Sequence, residues 1–288
     1  MNDDAEAEPS APDPTEAGGT EPAQLLLVHG DREYLRAPGE ELHTDLGVLE
    51  VPEDVAAGDV LETHLGDEFV VREPRGPDLF RHFERTGAPM MPRDVGLVVG
   101  HTGAAGGDRV LDAGTGTGVL AAYLGRIGAR VATYERDAEF AEVARGNMRL
   151  AGVADRVDVR TGDLVAALDG ETESDGDHGA GGRNDPDTAG PVTPLDGERF
   201  DLLTLDTEDA PAIVGRAPEL LASGGFVAVY SPFVENSRAT VESAREAGLA
   251  DVETYETIQR TLDVNSRGTR PATAGVGHTG YLTFARKY

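Results

Sequence analysis

The chain has 288 residues and a formal net charge of −28, from 53 acidic and 25 basic side chains. The absence of cysteine excludes disulfides and thiolate-metal sites, and no apolar run approaches the roughly 18 residues of a membrane span. Such an excess of acid, with Lys287 as the sole lysine, is typical of a salt-adapted, haloarchaeon-like proteome, and it does not exclude a nucleic-acid partner.

The first residues lack the basic and apolar pattern of a signal peptide, so we expect a cytoplasmic protein with no membrane or metal partner. Residues 1–22, rich in Pro, Glu, Asp and Ala, predict a disordered acidic tail. Residues 23–76 contain short β-prone runs separated by turn residues, which predict a small β-barrel-like domain. The remainder, residues 77–288, is expected to form a second domain.

Beyond Arg109, short apolar strands alternate with helical patterns. The predicted strands are 109–113, 130–135, 157–162, 200–206, 225–230, 251–259 and 281–287, and the predicted helices between them are 118–127, 137–151, 210–222 and 235–247. This order predicts an α/β, Rossmann-like domain with a mostly parallel seven-stranded sheet. Residues 169–198 interrupt it, and their Gly- and Asp-rich composition predicts a disordered acidic insertion.

A glycine-rich turn, Asp-Ala-Gly-Thr-Gly-Thr-Gly at 112–118, follows the first of these strands and opens a helix. Glycines allow a ligand to approach the backbone closely, and the helix N-terminus directs N–H groups at it, as in adenosine-cofactor sites. Val119 occupies the third small position of a dinucleotide fingerprint, so a pyrophosphate fits poorly. A plain strand–helix turn is the alternative.

The turn resembles motif I of the class I S-adenosylmethionine (SAM) methyltransferases. That resemblance implies that Asp112 orients the ammonium of the cofactor's methionine tail, directly or through water. The turn residues Gly114, Thr115, Gly116, Thr117 and Gly118 are expected to hold the tail as well, and Leu120 is a further expected cofactor contact.

Two acids follow the next two strands. Glu135 ends the second strand, at the spacing from the glycines where an acid accepts hydrogen bonds from ribose hydroxyls. Asp163 ends the third strand, where a carboxylate can accept from the adenine amino group while Leu164 stacks on the ring. The alternative interpretation is a pair of solvated acids in a very acidic chain.

A third acid, Asp206, ends the buried strand 200–206, at the place where class I methyltransferases present their acceptor motif. If the nucleophile is adenine N1, methylation places positive charge on the base and acidifies its amino group. A fixed carboxylate stabilises that charge and can take the proton. The alternative is a helix N-cap, since Asp206 and Thr207 precede an acidic first turn.

Three further segments resemble the tRNA (adenine-N1)-methyltransferase family that modifies the T-loop. They are the C-terminal run 277–287, preceded by Arg270-Pro271; the N-terminal runs 43–47 and 66–69; and Met91-Pro92-Arg93-Asp94, where the family has Tyr-Pro-Lys-Asp. The resemblance implies a homotetramer that methylates tRNA with SAM, with Asp206 as the catalytic residue. It also implies a cofactor contact from Met91, in place of the tyrosine, and tRNA contacts from Arg93, Arg270 and His278.

Two other functions share part of this pattern. A class I methyltransferase of a protein carboxylate, such as the isoaspartyl type, or of a small molecule would share every motif up to Asp163. A non-catalytic RNA-binding subunit is the second alternative, although intact residues at Glu135 and Asp206 argue against it.

Overall fold

The computed structural model describes residues 24–170, 199–273 and 277–288. Residues 1–22 and most of the predicted insertion, 171–198, lie outside the described residues, so the predicted tail and insertion stay predictions. The chain divides into two units, the first ending at Val71 and the second beginning at Arg72, whereas the sequence predicted a boundary after residue 76.

The first unit is built of six short strands. They are β1 Leu25–His29, β2 Arg32–Arg36, β3 Glu41–Thr44, β4 Gly47–Glu50, β5 Val60–Glu62 and β6 Glu68–Arg72. Four of them form a sheet in the order β2-β1-β6-β5, and β3 pairs with β4 as an antiparallel hairpin. Alternating residues of these strands face one core, which includes Leu27, Leu42, Leu49, Phe69 and Val71.

The second unit contains eight helices in its described residues. They are α1 Gly76–His82, α2 Pro92–Thr102, α3 Val119–Arg126, α4 Ala138–Leu150, α5 Leu164–Leu168, α6 Ala210–Gly215, α7 Ala217–Leu220 and α8 Val234–Glu246. Its strands are β7 Arg109–Ala113, β8 Arg130–Glu135, β9 Val157–Thr161, β10 Phe200–Leu205, β11 Leu221–Ser231, β12 Ala250–Glu256, β13 Leu262–Asn265, β14 Gly268–Pro271 and β15 Tyr281–Arg286.

Seven of these strands form one sheet in the order β9-β8-β7-β10-β11-β15-β12. The first five are parallel neighbours, and β15 runs antiparallel between β11 and β12. The prediction of a mostly parallel seven-stranded sheet is confirmed. Because the carboxyl ends of parallel strands meet at one edge, the segments that follow β7, β8, β9 and β10 come together there.

The structure corrects the prediction of one helix over 210–222. Two short helices, α6 and α7, occupy this region, and β11 already begins at Leu221. Pro218 explains the break, because in a continuous helix its ring would clash with the carbonyl group of Val214. The hairpin β13–β14, which the sequence analysis did not predict, follows β12.

Candidate active site

The glycine turn after β7 brings the backbone of two strand ends into contact. Gly114, Gly116 and Gly118 have φ values of 88°, 52° and 81°, in the left-handed region that favours glycine. A Cβ atom on Gly114 would lie 2.1 Å from the carbonyl oxygen of Asp206, and one on Gly118 would lie 2.6 Å from Cε of Met148. Backbone conformation therefore disfavours a side chain at both positions, and at Gly114 the contact with backbone atoms excludes one by packing as well.

A cleft of about 500 Å³ opens at this edge of the sheet. Its lining combines residues 86–90, the turn, and the segments that follow β8, β9 and β10. Of the predicted site residues, those that line the cleft are Asp112, Gly114, Thr115, Gly116, Thr117, Leu120, Glu135, Asp163, Leu164 and Asp206. The structure thus brings together all the predicted cofactor contacts except Gly118 and Met91. Met91 is the N-cap of α2, and its neighbour Met90 contributes to the cleft wall instead.

Asp112 is buried in a network of threonines. Its carboxylate accepts a hydrogen bond from Thr133 on β8, at 2.5 Å, and another from Thr204 on β10. Thr133 also hydrogen-bonds to Thr115 of the glycine turn, at 2.5 Å. Burial raises the pKa of Asp112 to about 6, although the two threonine hydrogen bonds oppose the rise. Asp112 therefore ties three neighbouring strands together, in addition to its predicted role beside the methionine tail.

Glu135 holds the glycine turn through a hydrogen bond to its backbone. One carboxylate oxygen accepts from the Gly116 N–H at 2.8 Å, and the other accepts from the Asp137 N–H at 3.1 Å. Each oxygen retains a second lone pair for ribose hydroxyls. Glu135 therefore places a negative charge on the cleft wall in a fixed orientation.

Asp163 combines two roles. Its Oδ1 atom accepts from the N–H groups of Val165 and Ala166, at 2.7 and 3.1 Å, and so caps α5. The other oxygen, Oδ2, lies 3.7 Å from the guanidinium of Arg136. Because the cap uses only Oδ1, Oδ2 remains the atom able to accept from an adenine amino group.

Arg136, which the sequence analysis missed, joins several acids at the rim of the cleft. Besides Asp163, its guanidinium contacts Glu208 at 3.3 Å and Asp209 at 3.1 Å, both in the loop after β10. No local pattern distinguishes this arginine from the others in the chain, since its partners come from two other strand ends.

Asp206 lies at the centre of this edge without capping a helix. Its N–H donates to the Ala113 carbonyl at 2.9 Å, and the N-cap of α6 is Asp209, so the alternative interpretation of Asp206 as a helix cap is wrong. Burial raises the pKa of Asp206 to about 7, and the negative charges of Asp112 and Glu135 contribute to the rise. A carboxylate with this pKa can exchange a proton near neutral pH.

The C-terminal segment reaches the same edge through a second network. The Arg93 side chain, only 11% exposed, donates to Thr279 at 3.2 Å, and Thr279 donates to the buried Asp94 at 2.7 Å. Burial raises the pKa of Tyr230, near the end of β11, and the charge of Asp206 adds to the rise. The Tyr230 ring packs against the C-terminal segment, because a Cβ atom on Gly280 would lie 2.7 Å from its Cζ atom. No sequence motif groups Tyr230, Asp94 and Thr279, which come from three distant parts of the chain.

The other two predicted tRNA contacts are on the surface and do not line the cleft. His278 is paired with Glu256 at 3.0 Å, and Arg270, on β14, is paired with Asp263 at 3.6 Å. Contacts of Arg93, Arg270 and His278 with RNA stay predictions.

The cleft fits the cofactor that the sequence implies. Its glycines leave room for a ligand against the backbone, and fixed carboxylates stand at the ends of three neighbouring strands. Within the described ranges, no group of three or more His, Asp or Glu side chains could hold a metal ion. Across the same part of the chain, no helix combines the length and apolar character needed to cross a membrane.

Solved structures share this architecture. An S-adenosylmethionine-dependent O-methyltransferase from Thermotoga maritima matches with a TM-score of 0.69 and 24% identity, over 92% of each chain. The tRNA (m1A58) methyltransferase TrmI from Aquifex aeolicus matches with a TM-score of 0.64 and 22% identity, over 94% of this chain and 99% of the other. No protein-family model matches the chain. The fold is therefore that of the class I SAM-dependent methyltransferases.

A curated relative narrows this class. The tRNA (adenine(57)-N(1)/adenine(58)-N(1))-methyltransferase TrmI of Methanocaldococcus jannaschii is 34% identical over 274 residues, which cover 92% of this chain and 95% of that protein. The chain belongs to the TrmI family of tRNA (adenine-N1)-methyltransferases. The resemblance drawn from the C-terminal and N-terminal segments is confirmed.

Proposed function

We propose that this chain methylates N1 of a T-loop adenine in tRNA, using SAM. Position 58 is the first candidate, and position 57 is the second, since both are in the name of the relative from Methanocaldococcus jannaschii. The observation that carries the proposal is Asp206, which lines the cofactor cleft and whose backbone contacts the glycine turn; burial raises its pKa to about 7.

The target base of a folded tRNA is stacked inside the T-loop, so it must be flipped into the cleft. Bound SAM supplies an electrophilic methyl group on a sulfonium. In the reaction the adenine N1 lone pair forms the new N–CH₃ bond while the S–CH₃ bond breaks and its electron pair stays on sulfur. Asp206 accepts a hydrogen bond from the adenine amino group, stabilises the positive charge that develops on the base and can take its proton.

The remaining cleft residues hold the cofactor. Glu135 accepts from the ribose hydroxyls, and Oδ2 of Asp163 accepts from the adenine amino group of SAM. Leu164, only 3% exposed, supplies an apolar surface for the adenine ring. The turn at 114–118 surrounds the methionine tail. This assignment is supported by the convergence of the segments after β7, β8 and β9 on one cleft.

We also propose a homotetramer of cytoplasmic, salt-adapted subunits, each with a small β domain at 23–76 before its methyltransferase domain. The hairpin β13–β14 supports the assembly, because Leu262 and Val264 are 60% and 75% exposed and Ile258, just before it, is 70% exposed. Apolar side chains grouped on a surface are typical of contacts between subunits. Light scattering after size-exclusion chromatography in molar salt measures the mass of the assembly. We expect the mass of four chains, and the mass of one chain would contradict the proposed homotetramer.

The other two functions have less support. An isoaspartyl-type or small-molecule methyltransferase shares the cofactor cleft but does not need the Thr279 network that brings the family-specific C-terminus to Tyr230. A non-catalytic RNA-binding subunit does not need the carboxylates of the cofactor cleft. Calorimetry with SAM would support that last alternative if no binding were measured.

Mapping the modified nucleoside tests the proposed function. An unmodified tRNA transcript is incubated with the enzyme and SAM in molar salt, and its nuclease fragments are analysed by mass spectrometry. We expect 1-methyladenosine in the T-loop fragment, and none there when both candidate adenines are replaced by guanine. An unmodified T-loop, together with methyl transfer to a protein carboxylate, would overturn the proposal.

A further inference from the structure

The loop between β11 and α8 exposes an aromatic side chain beside the proposed acceptor site. Phe233 is 67% exposed and Val234, which follows it, is 54% exposed. Pro232 is exposed as well, so the loop and the first residue of α8 together present three successive apolar residues to solvent. Exposed apolar groups of this kind commonly mark a contact with a partner.

The backbone of Phe233 is fixed although its side chain is exposed. Its N–H donates to Oγ of Ser231 at 3.1 Å, and its carbonyl accepts from the Ser231 hydroxyl at 3.0 Å. The same carbonyl also accepts from the hydroxyl and the N–H of Ser237, both at 3.2 Å. Both serines are buried, at 2% and 4% exposure. The ring therefore projects from a rigid support.

This support adjoins the catalytic strand end. Strand β11 pairs in parallel with β10, with Leu205 opposite Val229, so the loops after the two strands leave the same edge of the sheet. Asn236, in the first turn of α8, donates to the Thr207 carbonyl at 3.5 Å. Thr207 follows Asp206 directly, which places the Phe233 loop next to the acceptor side of the cleft.

We propose that Phe233 stacks on an unpaired base of the RNA substrate that flanks the flipped adenine. The inference rests on the proposed function and adds to it a residue that recognises the opened T-loop. Aromatic side chains bind splayed RNA bases through their faces, and this contact requires no positive charge on the protein.

The charge of the chain favours a contact of this type. A net charge of −28 gives the protein little general attraction for phosphates, and salt weakens the remaining ionic contacts further. Stacking does not depend on counterion release. A rigid exposed phenyl ring therefore offers affinity for RNA that persists in concentrated salt.

The test compares three variants of Phe233 in the full chain with SAM bound. We expect Phe233→Ala and Phe233→Leu to raise the Kd of a T-loop RNA hairpin by about five- to a hundredfold, since base–aromatic stacking contributes at this level. Phe233→Tyr should restore binding, because it retains the ring. The Kd of SAM should be unchanged in all three. Ile127→Ala is the matched control: Ile127 is 41% exposed and lies before β8, at the opposite edge of the sheet.

Three results would overturn the inference: unchanged RNA affinity in Phe233→Ala, full affinity in Phe233→Leu, or a change of oligomeric mass in Phe233→Ala, which would make the ring a subunit contact. The wild-type enzyme is first shown to methylate the T-loop in the same buffer. If the wild-type enzyme does not methylate the T-loop, the proposed function is refuted. If it does, and the RNA affinity of Phe233→Ala equals that of the wild type, only the stacking contact is refuted.

Discussion

At the level of single residues, the proposed mechanism depends on the charge of Asp206. Its pKa is about 7, and the deprotonated form is the one that stabilises a cationic base. We expect kcat/KM for tRNA to rise with pH and to level off above about pH 7. Asp206→Asn should lower the rate by about 10²- to 10⁴-fold and lose this dependence. Steady-state rates of both enzymes between pH 5.5 and 8.5 check the pH dependence. A wild-type rate that does not change with pH would contradict the proposed role of the Asp206 charge.

The same shift has a consequence for stability. Because the folded pKa of Asp206 lies above its ordinary value of 3.8, ionisation costs more in the folded than in the unfolded chain. The contribution of this group to stability is therefore fully present below pH 3.8 and is lost as pH rises through 7. Wild-type protein should lose stability relative to Asp206→Asn over that interval. Paired denaturation curves at pH 5 and pH 8 measure the difference.

Glu135 illustrates a residue with a structural and a binding role together. Charged hydrogen bonds contribute about 1.5–3 kcal/mol, so Glu135→Ala should weaken SAM binding by about ten- to a hundredfold. The same variant leaves the N–H groups of Gly116 and Asp137 without their present acceptor, and we expect a lower unfolding free energy as well. Calorimetry and urea denaturation measure the two effects. An unchanged Kd for SAM would remove Glu135 from the cofactor site.

At the level of elements, one buried amide on helix α4 joins two parts of the cleft lining, the glycine turn and the segment that leads into residues 86–90. Asn147, 3% exposed, accepts from the Glu84 N–H at 3.0 Å and donates to the carbonyls of Glu84 at 3.0 Å and of Thr117 at 2.8 Å. The segment that leads into residues 86–90 is thereby joined to the glycine turn.

Replacing this amide should loosen the wall. Asn147→Leu keeps the size but removes all three hydrogen bonds, so we expect a loss of about 1–3 kcal/mol in unfolding free energy and weaker SAM binding. Glu246→Leu, at the exposed last residue of α8, is the control and should change neither. Denaturation curves and calorimetry check this. A wild-type SAM affinity in Asn147→Leu would show that the cleft keeps its shape without these hydrogen bonds.

At the level of the whole molecule, the acidic insertion is expected to be dispensable. Residues 170–190 are nearly all Gly, Asp, Glu, Ser, Thr, Asn and Pro, a composition with little to bury. A chain that lacks them should methylate tRNA at a rate within about twofold of the full chain and unfold at a similar temperature. Loss of tRNA methylation with normal SAM binding would instead assign the insertion to RNA recognition.

The sequence predicted the fold and the cleft well because both depend on local pattern. Alternating strands and helices require a parallel sheet, and acids that end successive strands must then meet at one edge. The contacts that shape the cleft depend on partners distant in the chain. The threonines around Asp112, the rim position of Arg136 and the Asn147 tie each join segments that only the folded sheet brings together. Pro218 is different, since its position alone could have predicted the broken helix.

The close contact at Gly114 limits how such an enzyme could be adapted to other alkyl donors. The Asp206 carbonyl lies where a Gly114 side chain would begin, and the Asp206 N–H is bonded to Ala113. The cleft lining at Gly114 and the backbone of Asp206, the proposed catalytic residue, are therefore one layer of atoms, the floor of the cleft. Enlarging this floor for an ethyl or allyl donor would displace Asp206 from the acceptor base. Space for a larger group has to come from another part of the cleft lining.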